Sequence, residues 1–271
     1  MTNTVPTYDI LGVKVSALNL GTAVRAVRDM VRGRRRGYIC VAPVSTIVDA
    51  RRDPEYRKVI NQAALVTPDG IPVVWLGRRQ GHREVSRTYG PDLMTRLCAT
   101  EDGRGLTHFF YGGTPEVCDR LVHRLEEEFP DIIVAGTFAP PFMPQAEVIS
   151  DRVRLLINAA RPDILWVALG APKQDFWMAL NRPLLDVPVM IGVGAAFDFL
   201  AGVKPQAPGW MQRSGLEWLF RLCAEPRRLW KRYLVGNTLF VWWLLLDAMC
   251  PKSQDASHRS QVTGHTSQGG R

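Results

Sequence analysis

The sequence is poor in the features that mark several large protein classes. Its five cysteines, Cys40, Cys98, Cys118, Cys223 and Cys250, are scattered, odd in number and form no Cys-x-x-Cys. This argues against a zinc site and fits reduced thiols in the cytosol. The histidines (His82, His108, His123, His258 and His265) have no metal-ligand spacing. No serine sits in a Gly-x-Ser-x-Gly elbow, and no Asp-x-Asp offers a carboxylate pair to a divalent cation on a diphosphate. Long apolar runs are also missing. The longest, Leu239 to Leu246, is far short of the roughly 20 residues of a membrane span. Met1 to Leu20 has no long apolar stretch behind a basic start, so no secretory signal is expected.

What is present is a large, globular and basic chain. Its 271 residues are 46% hydrophobic and 22% charged, which excludes a mainly disordered protein and suffices for a sizeable core. Lys and Arg number 34 against 26 Asp and Glu, a net charge of +8. Such an excess suits nucleic acid, an anionic membrane or a phosphorylated small molecule. From Lys204 to Arg232 there are seven basic residues and two acids, so over half of the excess lies there. Trp210, Trp218, Trp230, Trp242 and Trp243 lie in or near the same stretch. The cluster Arg32 to Arg36 reads as a solvated helix end.

Three regions follow along the chain. In residues 1–105, Tyr38 to Val41 is a strand, Ser45 to Ala64 has helical spacing, and Leu65 to Thr67 is a strand entering the turn Pro68-Asp69-Gly70. Ile71 to Leu76 begins a helix or a strand. In residues 106–194 strand and helix alternate: strands at 106–111, 132–135, 164–169 and 187–193, helices up to Glu128 and over 147–160 and 172–180. Thr114 and Pro115 supply a helix cap and first turn. That alternation predicts a parallel sheet with helices on both faces. In residues 204–250, helices are expected over 210–223 and 227–246. The second would place Leu229, Trp230, Tyr233 and Leu234 on one face, with Arg227, Arg228, Lys231 and Arg232 on the other. The polar residues 251–271 read as a disordered tail.

Several predicted strands end in glycine turns: Gly112-Gly113, Gly170 and Gly192-Val193-Gly194. Ligands of open parallel sheets sit at the carboxyl ends of strands, and backbone N–H groups at helix starts suit phosphate oxygens. A nucleotide or nucleotide-sugar is the natural ligand, although each glycine alone also fits a plain turn. The dinucleotide pattern Gly-x-Gly-x-x-Gly fails at Phe197, which disfavours a nicotinamide-dependent oxidoreductase. Asp69 is placed to act as a general base on a sugar hydroxyl, or simply to cap a turn. Arg87 suits a phosphate or a carboxylate, or is a surface arginine. With no carboxylate pair, leaving-group charge would need arginines, lysines and helix N-termini.

Six segments occur in order: Thr67-Pro68-Asp69-Gly70-Ile71-Pro72, Tyr89-Gly90-Pro91-Asp92-Leu93-Met94, Phe110-Tyr111-Gly112-Gly113-Thr114-Pro115, Leu169-Gly170-Ala171-Pro172-Lys173-Gln174, Gly192-Val193-Gly194-Ala195-Ala196-Phe197-Asp198 and Gly215-Leu216-Glu217-Trp218-Leu219-Phe220-Arg221. Together they resemble the WecG/TagA/CpsF glycosyltransferases over residues 8–235. The resemblance implies an α/β fold. A Rossmann-like core over 1–203 would have an acceptor and catalytic half (about 1–105) and a nucleotide-sugar half (106–203). A helical membrane-associating appendage would follow over 204–250.

The activity implied is transfer of N-acetylmannosamine or a relative from a UDP-sugar to a polyprenyl-diphosphate-linked acceptor, with inversion and without a required metal or other cofactor. The setting would be cell-surface polysaccharide synthesis on the inner face of the plasma membrane. Asp69 would be the base, with Arg87 and Gln174 also catalytic. Substrate contacts would come from Thr67, Gly90, Asp92, Gly112, Gly113, Gly170, Lys173, Gly194, Asp198, Glu217, Arg221, Arg228 and Arg232. An anionic membrane surface is an expected partner, a homo-oligomer stays open, and no nucleic-acid motif appears.

One departure stands out. Pro43 and Ser45 occupy places where the family commonly has Asn and His or Thr, leaving Ser45 and Thr46 to hydrogen-bond a sugar. An altered-specificity or non-catalytic subunit of a polysaccharide assembly complex is therefore the alternative.

Overall fold

The computed structural model describes residues 5–99 and 105–249; the expected tail over 251–271 and Cys250 lie outside them. The chain opens with an antiparallel hairpin, β1 (Thr7–Ile10) and β2 (Val13–Ser16). Helix α1 (Leu20–Arg32) is held at its start by Asn19, whose side chain accepts from the Thr22 N–H while the Thr22 hydroxyl accepts from the Asn19 N–H. Then follow β3 (Gly37–Ala42), α2 (Val44–Arg52), α3 (Pro54–Asn61), β4 (Leu65–Pro68), α4 (Ile71–Arg79) and α5 (Gly90–Cys98). The second stretch contains β5 (Thr107–Gly112), α6 (Pro115–Glu128), β6 (Ile133–Phe138), α7 (Asp151–Ala160), β7 (Ile164–Ala168), α8 (Lys173–Asn181), β8 (Val189–Gly192) and α9 (Ala196–Leu200). The last helices are α10 (Gly209–Arg213), α11 (Glu217–Ala224), α12 (Pro226–Trp230), a π-helical turn (Lys231–Val235) and α13 (Gly236–Met249).

Six strands form one parallel sheet in the order β4-β3-β8-β7-β5-β6. The two halves divided at residue 105 both supply strands to it. Burial on both faces explains the apolar runs of the central strands. Alternation divides them: Tyr38, Cys40, Phe109, Tyr111, Leu165, Val167 and Met190 face one core, while Ile39, Phe110, Trp166, Val189 and Ile191 face the other. The first core is closed by α2, α3, α4, α7 and α8, through residues such as Ile47, Tyr56, Val73, Ile157 and Trp177. The second is closed by α1, α5, α6 and α9, through Val27, Leu97, Leu121 and Phe197. This is the expected parallel sheet with helices on both faces.

The differences from sequence expectation are local. The helix expected over 45–64 is two helices, because Pro54 cannot continue α2 and Asp53 caps α3 by accepting from the Glu55 and Tyr56 N–H groups. The helix expected from Glu147 starts at Asp151. The helix expected over 210–223 is broken by Gly215, whose φ of +76° fits neither α10 nor α11. The last helix runs through a π turn whose wider winding shifts the phase of its side chains. Leu229 is buried and Tyr233 faces the interior, but Trp230 and Leu234 are exposed; Arg232 is half-buried at the cavity and Arg228, though exposed, borders it, so the basic residues do not form one fully solvated face. Helix α13 packs on α2, burying Phe240 and partly covering Trp243 and Leu244. Among the described residues no helix is long and apolar enough to cross a membrane.

Candidate active site

Five strands deliver their carboxyl ends to one place. The turn after β3 brings Pro43, β4 leads to Asp69, β5 to Gly113, β7 to Gly170, and β8 to Val193 and Gly194; all of them line a single cavity of about 690 Å³. Gly112 makes the convergence of β5 and β7 possible. Its φ is +130°, and a Cβ there would lie 2.5 Å from the Ala168 carbonyl oxygen. Gly112 therefore shapes the wall without lining the cavity. The opposite wall comes from the C-terminal helices, which contribute Phe220, Arg221, Glu225, Arg228, Arg232 and Tyr233.

Asp69 sits on the sheet side. Burial is the main cause that pushes its carboxyl up to about 6, and Glu217 adds to it; the Arg87 and Arg221 guanidiniums pull the other way. Arg87 Nε lies 3.3 Å from Asp69 Oδ1. The same guanidinium donates to Gln212 Oε1 at 3.1 Å and to Glu217 Oε2, and stacks 4.1 Å from the centre of the Tyr89 ring. Arg221 Nε lies 3.1 Å from Glu217 Oε1, and its Nη2 donates to the Tyr89 hydroxyl at 3.1 Å. A second ionic group crosses the same mouth: Lys204 Nζ is 3.0 Å from Asp198 and 3.4 Å from Glu225, which also pairs with Arg228. Both groups tie the C-terminal helices to the sheet domain.

The structure brings eleven of the sequence-predicted site residues to the cavity: Asp69, Gln174, Thr46, Gly90, Gly113, Gly170, Gly194, Asp198, Arg221, Arg228 and Arg232. Gln174 is nearly fully buried, and its Oε1 accepts from the Gly170 N–H at 3.2 Å, which braces that loop.

Seven others lie elsewhere. Ser45 is buried beside Thr46 but off the cavity wall. Thr67 is fully buried and its hydroxyl donates to the Thr88 carbonyl at 3.4 Å. Lys173 is turned away: its ammonium donates to the Met143 carbonyl at 2.7 Å and lies over the Phe142 ring. Arg87 and Asp92 line a neighbouring cavity of about 430 Å³ with Trp75, Arg78 and Arg213. Glu217 is engaged by two arginines, and Gly112 is packed on Ala168.

Tyr89, Lys204, Gln212 and Glu225 join the site or its frame without a sequence assignment. Tyr89 adjoins Gly90 in a motif, so its neighbourhood was readable. The other three carry no local signal.

Beneath the cavity, Asp175 is fully buried next to Gln174 and accepts from the Tyr56 hydroxyl at 2.6 Å. Burial pushes its carboxyl up to about 6 and the adjacent Cys40 thiol well above its ordinary range. Among the described residues no cluster of His, Cys, Asp and Glu has the makings of a metal site.

A buried carboxylate facing several guanidiniums, in a cleft at the carboxyl ends of a parallel sheet, has the makeup of a group-transfer site. The chain belongs to the glycosyl transferase WecG/TagA/CpsF family, whose model matches residues 8–254. It is thus a glycosyltransferase. Among its relatives is the N-acetylglucosaminyldiphosphoundecaprenol N-acetyl-beta-D-mannosaminyltransferase of Bacillus spizizenii, 34% identical over 197 residues, which are 73% of this chain and 74% of that protein. The Bacillus subtilis protein of the same name is 34% identical over 185 residues, 68% of this chain and 70% of that one.

Proposed function

We propose that this glycosyltransferase moves N-acetylmannosamine or a related sugar from a UDP-sugar to a polyprenyl-diphosphate-linked N-acetylglucosamine, with inversion. The observation that carries the reading is the placement of Asp69 and the Arg221, Arg228 and Arg232 side chains around one cavity. The names of the two Bacillus relatives support the acceptor and the sugar.

In this reading Asp69 takes the proton from the acceptor hydroxyl as its oxygen attacks the anomeric carbon. The bond from that carbon to the UDP oxygen breaks in the same displacement. The departing diphosphate is met by Arg221, Arg228, Arg232 and the N-terminus of α8, so its charge is balanced by groups of this chain. Gln174 holds the Gly170 loop against the substrate. Arg87 is occupied by Asp69, Gln212 and Glu217, and serves the base rather than the leaving group.

The acceptor is a lipid, and the exposed apolar side chains Trp230, Leu234, Trp242, Leu245 and Met249 beside Arg227 and Lys231 suit an anionic membrane surface at the inner face of the plasma membrane.

The test is a screen of UDP-sugars with a short-chain polyprenyl-diphosphate N-acetylglucosamine acceptor, read by mass spectrometry. One sugar added with release of UDP is expected. No product with any donor, from protein that still binds UDP, would remove the reading.

A further inference from the structure

Glu217 is the one carboxylate of the C-terminal helices that reaches the guanidinium beside the base. Both of its oxygens are taken: Oε2 by Arg87 Nη2, and Oε1 by Arg221 Nε at 3.1 Å. Its side chain is only 15% exposed, and it does not line the main cavity. A carboxylate committed to two arginines and set back from the cavity wall is not placed to touch a substrate there. What it does touch is Arg87, whose three nitrogens go to Asp69, Gln212 and Glu217. Gln212 and Glu217 both come from beyond residue 204, so two of the three anchors of Arg87 are delivered by α10 and α11.

We infer that Glu217 is a positioning residue: by holding the far side of the Arg87 guanidinium it fixes which edge of Arg87 meets Asp69, and so sets the state of the base without touching substrate. This rests on the reading of Asp69 as the base.

The charge balance around Asp69 makes the consequence directional. Arg87 and Tyr89 face it from the loop before α5, Glu217 and Arg221 from α11, and Arg228 and Arg232 across the cavity, while Asp92 of α5 acts on Arg87 and Glu217 from the neighbouring cavity. Glu217 is the anion that offsets Arg87 and Arg221. Without its charge, both guanidiniums act more strongly on Asp69 and favour the carboxylate. Asp69 then becomes a weaker base.

The experiment compares the pH profile of kcat/KM for wild type and Glu217→Gln, which keeps the side chain's size and removes its charge. The acidic limb should move to lower pH by half a unit or more, with the plateau lowered about ten-fold and the KM for the UDP-sugar changed less than three-fold. Glu217→Asp keeps the charge but is too short to hold both arginines, so its limb should fall between those of Glu217→Gln and wild type.

A structural role alone would lower activity evenly at every pH; an unmoved limb in an active Glu217→Gln protein overturns the inference. Absence of transfer in the wild type would instead overturn the functional reading. Should Glu217→Gln not fold, carbon NMR titration of the Asp69 carboxyl in wild type and Glu217→Asp decides. The titration should shift toward lower pH in the shorter variant, whose carboxylate cannot hold both arginines, and an identical titration counts against the inference.

Discussion

Asp69 carries a group whose ordinary carboxylate range lies well below neutrality, and burial lifts it to about 6. A base works in its ionised form, so kcat/KM should fall as pH drops through about 6 and stay level above it. Steady-state rates between pH 5 and 8 would show this limb. Asp69→Asn should lower kcat about 10²- to 10⁴-fold and leave UDP binding by calorimetry nearly intact. Near-normal turnover would remove Asp69 as the base. The sequence offered Asp69 as a base or as a turn cap, and only its surroundings favour the first.

His108 illustrates the opposite outcome for a titratable group: it is buried between Phe110 and Trp166 and accepts the Trp166 Nε1–H at Nδ1 3.1 Å away. Burial pushes it down to about 4. The unfolded chain binds a proton below about 6.5 that the folded chain refuses, so this group's contribution is intact above that pH and is lost as pH falls toward about 4. The loss amounts to about 3 kcal/mol at most. Denaturation at pH 7 and pH 4 should show that component in wild type and not in His108→Phe.

At the level of elements, periodicity and punctuation were sufficient where burial is one-sided or complete. The strands of the sheet read as apolar runs because both faces are covered, and α6 is announced by Thr114 and Pro115; the structure adds that it buries Val117, Leu121 and Leu125. Two helices failed to read correctly for local reasons visible in hindsight, at Pro54 and at Gly215. The last helix failed for a different one. Its apolar residues spread too widely round the helix for all of them to face inward: Leu229 and Phe240 are buried, and Trp230 and Leu234 are left exposed.

Gly215 also gives a prediction at this scale. A Cβ there would stand 3.3 Å from Ile71 Cβ at a φ that side chains avoid. Gly215→Ala should cost about 1–2 kcal/mol by denaturant titration. It should also lower kcat, because α11 carries Glu217 and Arg221.

For the whole molecule, the C-terminal helices do two things with one segment. They close the cavity with arginines, and they leave a row of large apolar side chains uncovered: Trp242 is 57% exposed, Leu245 54% and Met249 79%. A row of that kind next to basic residues favours an interface. The double variant Trp242→Ala, Leu245→Ala should bind anionic vesicles about ten-fold more weakly in sedimentation assays. Raising salt should weaken the wild type as well, by screening Arg227 and Lys231. Equal sedimentation of both proteins, with and without salt, would sink the membrane role.

The net charge of +8 was the feature that first pointed to anionic partners, and its placement in one stretch was visible in the sequence. Which of those arginines face a ligand was not. By itself the sequence determined the parallel α/β plan, the glycine turns at strand ends and the order of motifs that places the chain in its family. Each of these is a local property: hydrophobic period, turn chemistry, or a short run of residues. The tertiary structure decided what Arg87 holds, that Lys173 turns away to Met143, and that Lys204 and Glu225 join Asp198 across the cavity mouth. Apart from the Lys204–Asp198 pair, those pairings connect residues from 18 to 130 positions apart, and no local pattern encodes a contact that only the folding of the sheet and the docking of the last helices bring about.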